Sequence, residues 1–181
     1  MDTIIQEPLS DSRAPITLIW LHGLGVDGSD FESFQKELSQ FGSLDNVRMV
    51  LPTAPVRDIT AYKLTMNAWY DLYSESLDEQ EKEDIDGMNQ SAEFINALIE
   101  EQRQKYPESP IWLGGFSQGA AMALIVGMSQ IPPIAGIIAL SGYVPNHPRF
   151  EELSDVAKQT PIYMAHGTLD PVISIAQARR S

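Results

Sequence analysis

A chain of 181 residues suits a single domain spanning residues 1–181, and its formal net charge of −13 at pH 7 argues against nucleic acids and anionic membrane surfaces as partners, because both would repel it. The chain has no cysteine, which excludes disulfide bonds and thiol chemistry and makes the cytoplasm the expected location. Its N-terminus lacks the pattern of a signal peptide and its longest apolar run is too short to cross a bilayer, so stable membrane insertion is not expected.

Short apolar segments alternate with helical stretches along the whole chain. Five segments predict strands: residues 16–21, residues 47–51, the short apolar run that begins at Ile111, residues 134–140 and residues 161–165. The first is apolar nearly throughout, which is typical of a strand buried on both faces of a parallel sheet. A stretch from Ile85 repeats apolar residues at steps of three and four, and residues 118–130 are apolar nearly all round, so both predict helices. This order indicates an α/β fold whose mostly parallel sheet carries helices on both faces.

Three connecting segments have interpretations of their own. A helix is predicted after a cap at Ser29 or Asp30, with four apolar residues on one face. These are Phe31, Phe34, Leu38 and Phe41. Residues 66–71 show no clear periodicity, so the aromatic side chains there either line a pocket or pack in the core under a loop. The acidic cluster at residues 78–84 is interpreted as a solvated helix start or loop.

Residues 115–119 have the pattern Gly-x-Ser-x-Gly, with an apolar run before it and helix-forming residues after it. A strand that turns sharply into a helix at a serine presents the hydroxyl on a strained turn. Gly115 and Gly119 then leave room where the strand and the helix nearly touch. The pattern alone arises by chance in roughly 5% of chains of this length. The strand before it and the helix after it nevertheless favour Ser117 as a nucleophile.

Functional side chains are expected at the C-terminal ends of the parallel strands, where ligands bind in such folds. The glycine loop at residues 22–25, Ser117 and Asp170 all follow predicted strands. A nucleophilic serine needs a base and a group that orients the base. Asp170 is the candidate for the orienting group, although an aspartate here also suits a turn or a helix cap. A carbonyl under attack needs two donors, for which the fold predicts the N–H groups of Leu24 and Gln118.

The histidines do not fit the role of the base well. In this fold the serine, the acid and the histidine follow one another in that order along the chain, whereas His22, His147 and His166 all precede Asp170. His22 and His166 each stand directly before a glycine at a strand end, which predicts that each ties its loop to the backbone. His147 lies between an asparagine and a proline, in a turn of the kind found on surfaces.

Six motifs, in this order, resemble the phospholipase/carboxylesterase family of α/β-hydrolases, which includes acyl-protein thioesterases and carboxylesterases. They are Trp-Leu-His-Gly-Leu-Gly at residues 20–25, Leu-Pro-Thr-Ala-Pro at 51–55, Ala-Trp-Tyr-Asp at 68–71, Gly-Gly-Phe-Ser-Gln-Gly-Ala at 114–120, Leu-Ser-Gly-Tyr at 140–143 and His-Gly-Thr-Leu-Asp-Pro-Val at 166–172. Together they extend over nearly the entire chain, so the resemblance is specific.

The resemblance implies hydrolysis of carboxylic esters or thioesters through an acyl-enzyme on Ser117, with Asp170 as the acid of the triad and with no cofactor or metal. It implies that the main-chain N–H groups of Leu24 and Gln118 form the oxyanion hole. The residues expected near the acyl group are Gly23, Leu24 and Trp69. Expected substrates are small esters or thioesters, acylated proteins and lysophospholipids. Members of the family are commonly cytosolic and several form dimers, so a homodimer is a further expectation.

The sequence departs from the family pattern in two places. The family carries its catalytic histidine roughly thirty residues after the acid, whereas this sequence ends at Ser181. We therefore expect a C-terminally truncated domain that lacks the last strand and helix of the family. The Asn-Gly-Gly turn that the family often has near residues 59–63 is absent. Two hypotheses follow, a truncated serine esterase or thioesterase and a non-catalytic protein that binds acyl ligands, and both predict that the 181-residue chain is nearly inactive by itself.

Overall fold

Eight strands form two sheets in the computed structural model, which describes residues 2–9, 15–42, 45–75, 82–151, 153–155 and 157–181. In chain order they are β1 (Thr3–Gln6), β2 (Ile16–Leu21), β3 (Val47–Pro52), β4 (Val56–Ile59), β5 (Leu64–Asn67), β6 (Ile111–Phe116), β7 (Gly136–Leu140) and β8 (Ile162–Ala165). The main sheet has the order β1-β3-β2-β6-β7-β8, and β4 and β5 form a separate antiparallel hairpin. β1 runs antiparallel to β3, while the other neighbours in the main sheet are parallel. All five predicted strands are present.

Strand β6, which precedes Ser117, lies in the middle of the main sheet between β2 and β7. Leu21 at the end of β2 is opposite Gly115 of β6, and Gly115 is opposite Ala139 of β7. Because these strands are parallel, their C-terminal ends open onto the same rim of the sheet. The register alone therefore brings together the segments that follow β2, β6 and β7.

The described residues contain four α-helices: α1 (Phe34–Leu38), α2 (Ile85–Lys105), α3 (Gln118–Gly127) and α4 (Ile175–Arg180). The carboxylate of Asp84 caps α2 by accepting the N–H of Gly87 at 3.0 Å, and the helix buries the predicted apolar repeat. α3 is buried along its whole length, as its uniformly apolar sequence predicts. In the acidic cluster 78–84, residues 78–81 lie outside the described residues, while its last residue starts a helix.

Helices pack on both faces of the main sheet, as predicted. On one face α2 and α3 form the larger core with β6, in which Ile95 and Leu113 are fully buried. On the other face Trp20 of β2 packs against Phe31 and Phe34, with ring centroids 5.8 and 4.8 Å apart. The structure therefore has the predicted α/β arrangement, with its core divided between the two faces of one sheet.

The short helical segment after β2 differs from its prediction. Asp27 accepts the N–H of Ser29 and caps the 3₁₀ turn Gly28–Phe31, whereas the sequence predicts the cap at Ser29 or Asp30. Asp27 precedes both predicted caps in the sequence. Because its carboxylate accepts a free N–H at the start of the turn, the turn begins earlier in the chain than predicted. The α-helix that follows is only five residues long, and Phe41 lies beyond its end, 90% exposed. The prediction of one helix with Phe41 on the same face as Phe31, Phe34 and Leu38 is therefore wrong.

Strand β8 forms one edge of the main sheet and exposes apolar side chains. Ile162, Tyr163 and Met164 are 41%, 61% and 39% exposed, and within the described residues no strand pairs with the outer edge of β8. Apolar edge strands offer free N–H and C=O groups to other chains. We expect the 181-residue chain to self-associate as its concentration rises, and we expect Tyr163→Lys to favour the monomer by placing a charge on this edge.

Light scattering after size-exclusion chromatography, over a wide range of concentrations, measures this association. Phe41→Lys is the matched control, because it introduces the same charge at an exposed aromatic residue outside the sheet. A molecular mass of one chain at every concentration would contradict the expectation.

Candidate active site

Ser117 lies on a strained turn between β6 and α3. Its φ of +54° and ψ of −119° fall outside the regions that L-residues ordinarily occupy. The N–H of Ser117 donates to the carbonyl oxygen of Leu140 at 2.9 Å, and its own carbonyl oxygen accepts the N–H groups of Ala120 and Ala121. The hydroxyl makes no hydrogen bond among the described residues. The predicted strand-to-helix turn is confirmed, and its hydroxyl is not engaged elsewhere.

Two glycines allow the turn to be this tight. A Cβ on Gly119 would lie 2.2 Å from the carbonyl oxygen of Leu21 and 2.5 Å from that of His22. A Cβ on Gly115 would lie 2.4 Å from the carbonyl group of Gly119. Real Cβ atoms essentially never come within 3.0 Å of such neighbours. The predicted need for space is confirmed, and the start of α3 packs directly onto the backbone that follows β2.

An apolar cavity of about 260 Å³ brings together four of the predicted site residues. Gly23, Leu24, Ser117 and Gln118 all line it. Its remaining walls are mostly apolar. They are formed by Val26, Tyr62, Tyr70, Leu72, Glu75, Phe116, Tyr143, Val172 and Ile173. The cavity can therefore hold an apolar group next to the Ser117 hydroxyl.

The main-chain N–H groups of Leu24 and Gln118, the two predicted oxyanion donors, lie at a loop and at a helix start. The N–H of Leu24 makes no hydrogen bond among the described residues, whereas the next N–H, that of Gly25, donates to the carbonyl oxygen of Asn67 at 2.9 Å. Gln118 is the first residue of α3, where N–H groups have no acceptor within the helix. The start of a helix also favours negative charge nearby. Leu24 and Gln118 both line the cavity that Ser117 lines.

Asp170 and Ser117 line a second cavity, of about 570 Å³. Oδ1 of Asp170 accepts the N–H groups of Val172 at 2.9 Å and Ile173 at 3.0 Å, so the turn-forming interpretation of this aspartate is confirmed for one oxygen. The other oxygen, Oδ2, lies 3.5 Å from Nε2 of His166. Ser117 thus stands at the boundary of two cavities, one apolar and the other containing a carboxylate.

His22 is a buried histidine that holds the loop after β2. Its Nε2 accepts the N–H of Ala54 at 2.9 Å, so the ring proton is assigned to Nδ1, which donates to the carbonyl oxygen of Gly23 at 2.7 Å. Burial lowers the pKa of His22, against weaker opposing effects of the Gly23 carbonyl and two nearby carboxylates. The predicted tie between His22 and its loop is confirmed, and both ring nitrogens are occupied.

The lowered pKa of His22 predicts sensitivity to acid. In the unfolded chain this histidine binds a proton near its ordinary pKa of 6.5, whereas in the folded chain the N–H of Ala54 points at Nε2 and burial disfavours the charge. The unfolded state therefore binds more protons, and the free energy of unfolding falls as the pH drops below about 6.5. Urea unfolding on both sides of that pH measures the slope. We expect a shallower slope in His22→Gln, and an identical slope would contradict the assignment.

The other two histidines also have local partners. Nε2 of His166 donates to the carbonyl oxygen of Ile173 at 2.8 Å, which confirms its predicted tie to the backbone. His147 accepts the N–H of Arg149 on Nδ1 at 3.1 Å, and burial together with the charge of Arg149 lowers the pKa of His147. The surface position predicted for His147 is wrong, because the ring is buried while it caps a 3₁₀ turn. In the described part of the chain, no histidine is hydrogen bonded to the candidate nucleophile.

Trp69 does not lie on the wall of either cavity. Its side chain is 0% exposed, and its indole Nε1 donates to the carbonyl oxygen of His22 at 2.8 Å. For residues 66–71 both alternatives of the sequence analysis apply, since Trp69 packs in the core whereas Tyr70 lines the apolar cavity. The expected contact of Trp69 with the acyl group stays a prediction. The ring packs behind the loop after β2 because its N–H finds a buried acceptor there.

Sequence reasoning missed two features of the site. The side-chain amide of Gln118 accepts the N–H of Trp69 and donates to the carbonyl oxygen of Tyr70, both at 2.8 Å. The hydroxyls of Tyr70 and Tyr143 lie 3.1 Å apart beside the apolar cavity, and burial raises the pKa of both. The first feature had a signal, since a glutamine directly follows the candidate nucleophile. Nothing in the spacing of the sequence indicated the tyrosine pair.

Two further properties concern only the part of the chain that the structure describes. No cluster of three or more histidine, aspartate or glutamate side chains there could hold a metal ion. None of the helices in that part is both long and apolar enough to cross a membrane.

The sequence is similar to that of known enzymes. A model of the phospholipase/carboxylesterase family matches residues 3–181. The chain is 33% identical to acyl-protein thioesterase 1 of Mycosarcoma maydis, with 100% of this chain and 80% of that protein covered. It is 38% identical to acyl-protein thioesterase 1 of Neurospora crassa, with 90% of this chain and 70% of that protein covered.

Solved structures share the fold. The crystal structure of acyl-protein thioesterase 2 from Zea mays has a TM-score of 0.80 at 26% identity, with 99% of this chain and 81% of that chain covered. The crystal structure of SOBER1 from Arabidopsis thaliana has a TM-score of 0.83 at 27% identity, with 92% of this chain and 80% of that chain covered.

Proposed function

The chain belongs to the phospholipase/carboxylesterase family and is a serine hydrolase, and we propose that it cleaves carboxylic esters or thioesters through an acyl-enzyme on Ser117. The observation that carries this proposal is the position of Ser117 on a strained turn between two cavities. The acyl chain and the leaving group lie on opposite sides of the carbonyl under attack. The two cavities offer one place for each.

In the proposed reaction the Ser117 hydroxyl attacks the carbonyl carbon of the substrate and loses its proton to a base. Negative charge develops on the carbonyl oxygen, and the N–H groups of Leu24 and Gln118 stabilise it. The alcohol or thiol leaves with the proton that the base took up. Water then attacks the acyl-serine ester with the help of the same base, which releases the carboxylic acid and restores Ser117.

Asp170 is the proposed acid of the triad. Two N–H groups hold its Oδ1. Nε2 of His166 lies 3.5 Å from Oδ2 but donates its proton to the carbonyl oxygen of Ile173, so Oδ2 is the oxygen proposed to orient an imidazole next to Ser117. Because the three histidines in the 181 residues have other partners, we expect this chain to be slow when no base is added. Imidazole in solution supplies the functional group of histidine, and it is small enough to enter a cavity of about 570 Å³.

The apolar cavity supports a proposal about acyl chain length. A cavity of about 150 Å³ binds benzene. On that scale, the cavity of about 260 Å³ accommodates an acyl chain of roughly ten carbon atoms. We propose medium-length acyl chains as the preferred substrates. Because the relatives are named acyl-protein thioesterases, acylated proteins are the proposed physiological class, with lysophospholipids and small esters as further candidates.

The cellular location, the domain organisation and the oligomeric state are proposed from composition and from the resemblance to the family. A chain without cysteine has no disulfide bonds to lose in a reducing compartment, so the cytoplasm is the proposed location. We propose that residues 1–181 belong to a single domain. A homodimer is proposed from the resemblance to the family, and the light-scattering measurement described above tests it.

Trapping the acyl-enzyme tests the proposed function. The 181-residue chain is incubated with p-nitrophenyl esters of increasing chain length in imidazole buffer, acidified, and analysed by intact-mass and peptide mass spectrometry. We expect an added acyl group on the peptide that contains Ser117, with the largest yield at medium chain length. Acylation of Ser141, which lines the same cavity as Asp170, would refute the assignment of the nucleophile. Tight acyl-ligand binding with no adduct would favour the non-catalytic alternative.

A further inference from the structure

The two proposed oxyanion donors belong to segments far apart in the sequence, and a hydrogen-bonded bridge through Trp69 joins these segments. We propose that Trp69 and His22 are positioning residues, which fix the direction of the Leu24 N–H relative to Ser117. This inference rests on the proposed function, since it assigns a role within the same site. It differs from the substrate contact that the sequence suggested for Trp69.

The first step of the bridge joins the nucleophile turn to Trp69. The side chain of Gln118 accepts the main-chain N–H of Trp69 and donates to the carbonyl oxygen of Tyr70, each at 2.8 Å. From the other side, the hydroxyl of Ser91 in α2 donates to the carbonyl oxygen of Trp69. The backbone of Trp69 is therefore held between α2 and the start of α3.

The second step joins Trp69 to the loop after β2. Its indole N–H donates to the carbonyl oxygen of His22 at 2.8 Å. The indole and imidazole rings also lie close together, with centroids 5.2 Å apart. Because the C=O of His22 and the N–H of Gly23 share one planar peptide group, holding the oxygen fixes the orientation of that group.

The third step orients the donor itself. Nδ1–H of His22 donates to the carbonyl oxygen of Gly23 at 2.7 Å, while Nε2 is held by the N–H of Ala54. The C=O of Gly23 and the N–H of Leu24 share the next planar peptide group and point in opposite directions. The hydrogen bond from the imidazole of His22 to the Gly23 oxygen therefore directs the Leu24 N–H away from the imidazole. The two consecutive peptide groups of the loop are held by Trp69 and His22 respectively.

The bridge explains why the indole of Trp69 and the imidazole of His22, which both carry polar nitrogen atoms, lie in the core behind the site. Burying the indole N–H and both imidazole nitrogens without partners would cost free energy, and each of the three has a partner in the loop or beside it. By contrast, the Nε1 of Trp20, a buried tryptophan in β2, has no hydrogen-bond partner among the described residues. Trp20 therefore provides the matched control.

The test replaces Trp69 by 3-benzothienylalanine, which keeps the shape of the ring system but has sulfur in place of N–H. In the imidazole-supported ester assay we expect kcat to fall about tenfold with KM unchanged, because a displaced oxyanion donor weakens only the transition state and Trp69 does not line the substrate cavity. The same replacement at Trp20 should leave both constants unchanged. An unchanged kcat in the Trp69 variant, or an increase in KM alone, would overturn the inference.

Hydrogen exchange provides a readout that does not depend on catalysis. The N–H groups of Gly25 and Ala54 are bonded to Asn67 and His22 respectively, so they report on the loop. We expect both to exchange about tenfold faster in the Trp69 variant, with the amide of Leu113 in β6 unchanged. Equal exchange in the Trp69 and Trp20 variants would overturn the bridge. If the unmodified chain formed no acyl-enzyme, the proposed function would fail while this measurement would still decide the bridge.

Discussion

Replacement of Ser117 by alanine is expected to remove the protein's contribution to ester hydrolysis in the presence of imidazole. The reason is that the hydroxyl oxygen of Ser117 is the proposed nucleophile, while imidazole supplies only the base. A positioned general base contributes about 10² to 10⁴ in rate, and that contribution disappears with the hydroxyl. We therefore expect ester hydrolysis by the Ser117→Ala variant to be slower by about a hundredfold or more than that by the unmodified chain. Its rate should equal that of hydrolysis by imidazole without protein. Initial rates on a medium-length p-nitrophenyl ester, measured over a range of imidazole concentrations, provide the test.

Ser129→Ala is the control for this experiment. Ser129 lies just beyond the other end of α3, where its hydroxyl donates to the carbonyl oxygens of Ile125 and Val126. Its removal should leave the imidazole-supported rate unchanged. If Ser117→Ala kept the rate of the unmodified chain, the ester would be cleaved by another group, and the assignment of the nucleophile would be wrong.

Gly119→Ala is expected to destabilise the folded chain, against the usual effect of this substitution. In a helix, alanine is favoured over glycine by about 1 kcal/mol. Here the new Cβ would lie 2.2 Å from the carbonyl oxygen of Leu21 and 2.5 Å from that of His22. These are backbone atoms of β2 and its loop, which cannot turn aside as a flexible side chain can. We expect the overlap to outweigh the helix preference and to lower the free energy of unfolding by about 3 kcal/mol.

Thermal and urea unfolding measure this loss. At about 2–4 °C per kcal/mol for a chain of this size, the melting temperature should fall by roughly 6–12 °C. Gly42→Ala is the matched control, because a Cβ on Gly42 meets nothing within 4 Å, and its effect should stay within about 0.5 kcal/mol. Equal or greater stability of Gly119→Ala would show that the turn at Ser117 can open at little cost.

Local sequence signals were sufficient for the turn at the centre of the site. The apolar run of β6, the two glycines and the helix-forming residues after Ser117 all favour one local structure, and the structure has it. The strong three-and-four repeat of α2 was also sufficient, because a long amphipathic helix carries its signal many times over.

Weak or short elements were not predictable in the same way. Strands β1, β4 and β5 have only four residues each and are mostly exposed or half-buried, so their sequences lack a sustained apolar pattern. Phe41 fits the helical spacing, but the helix ends before it reaches this residue. Periodicity predicts which residues would share a face, and it does not state where a helix stops.

The role of Trp69 depends on tertiary contacts that no local pattern contains. An aromatic residue beside a site packs equally well as a cavity wall or as core. Trp69 packs in the core here because its indole nitrogen donates to the buried carbonyl oxygen of His22 at 2.8 Å. The same holds for the histidines, whose local positions suggested backbone ties for His22 and His166 but gave the wrong exposure for His147.

The separate hairpin β4–β5 has a consequence for how such enzymes diverge. It contributes Tyr62 to the apolar cavity, yet its strands pair only with each other among the described residues. Its inner end is anchored, because Asn67 accepts the N–H of Gly25. The turn at residues 60–63 is also held at its start, because the N–H and the hydroxyl of Thr60 donate to the carboxylate of Asp71 and the N–H of Ala61 donates to the carbonyl oxygen of Leu72. We therefore expect an exchange of Tyr62 alone to reshape one wall of the cavity beside Ser117 without moving the sheet, and this is one place where related enzymes can diverge.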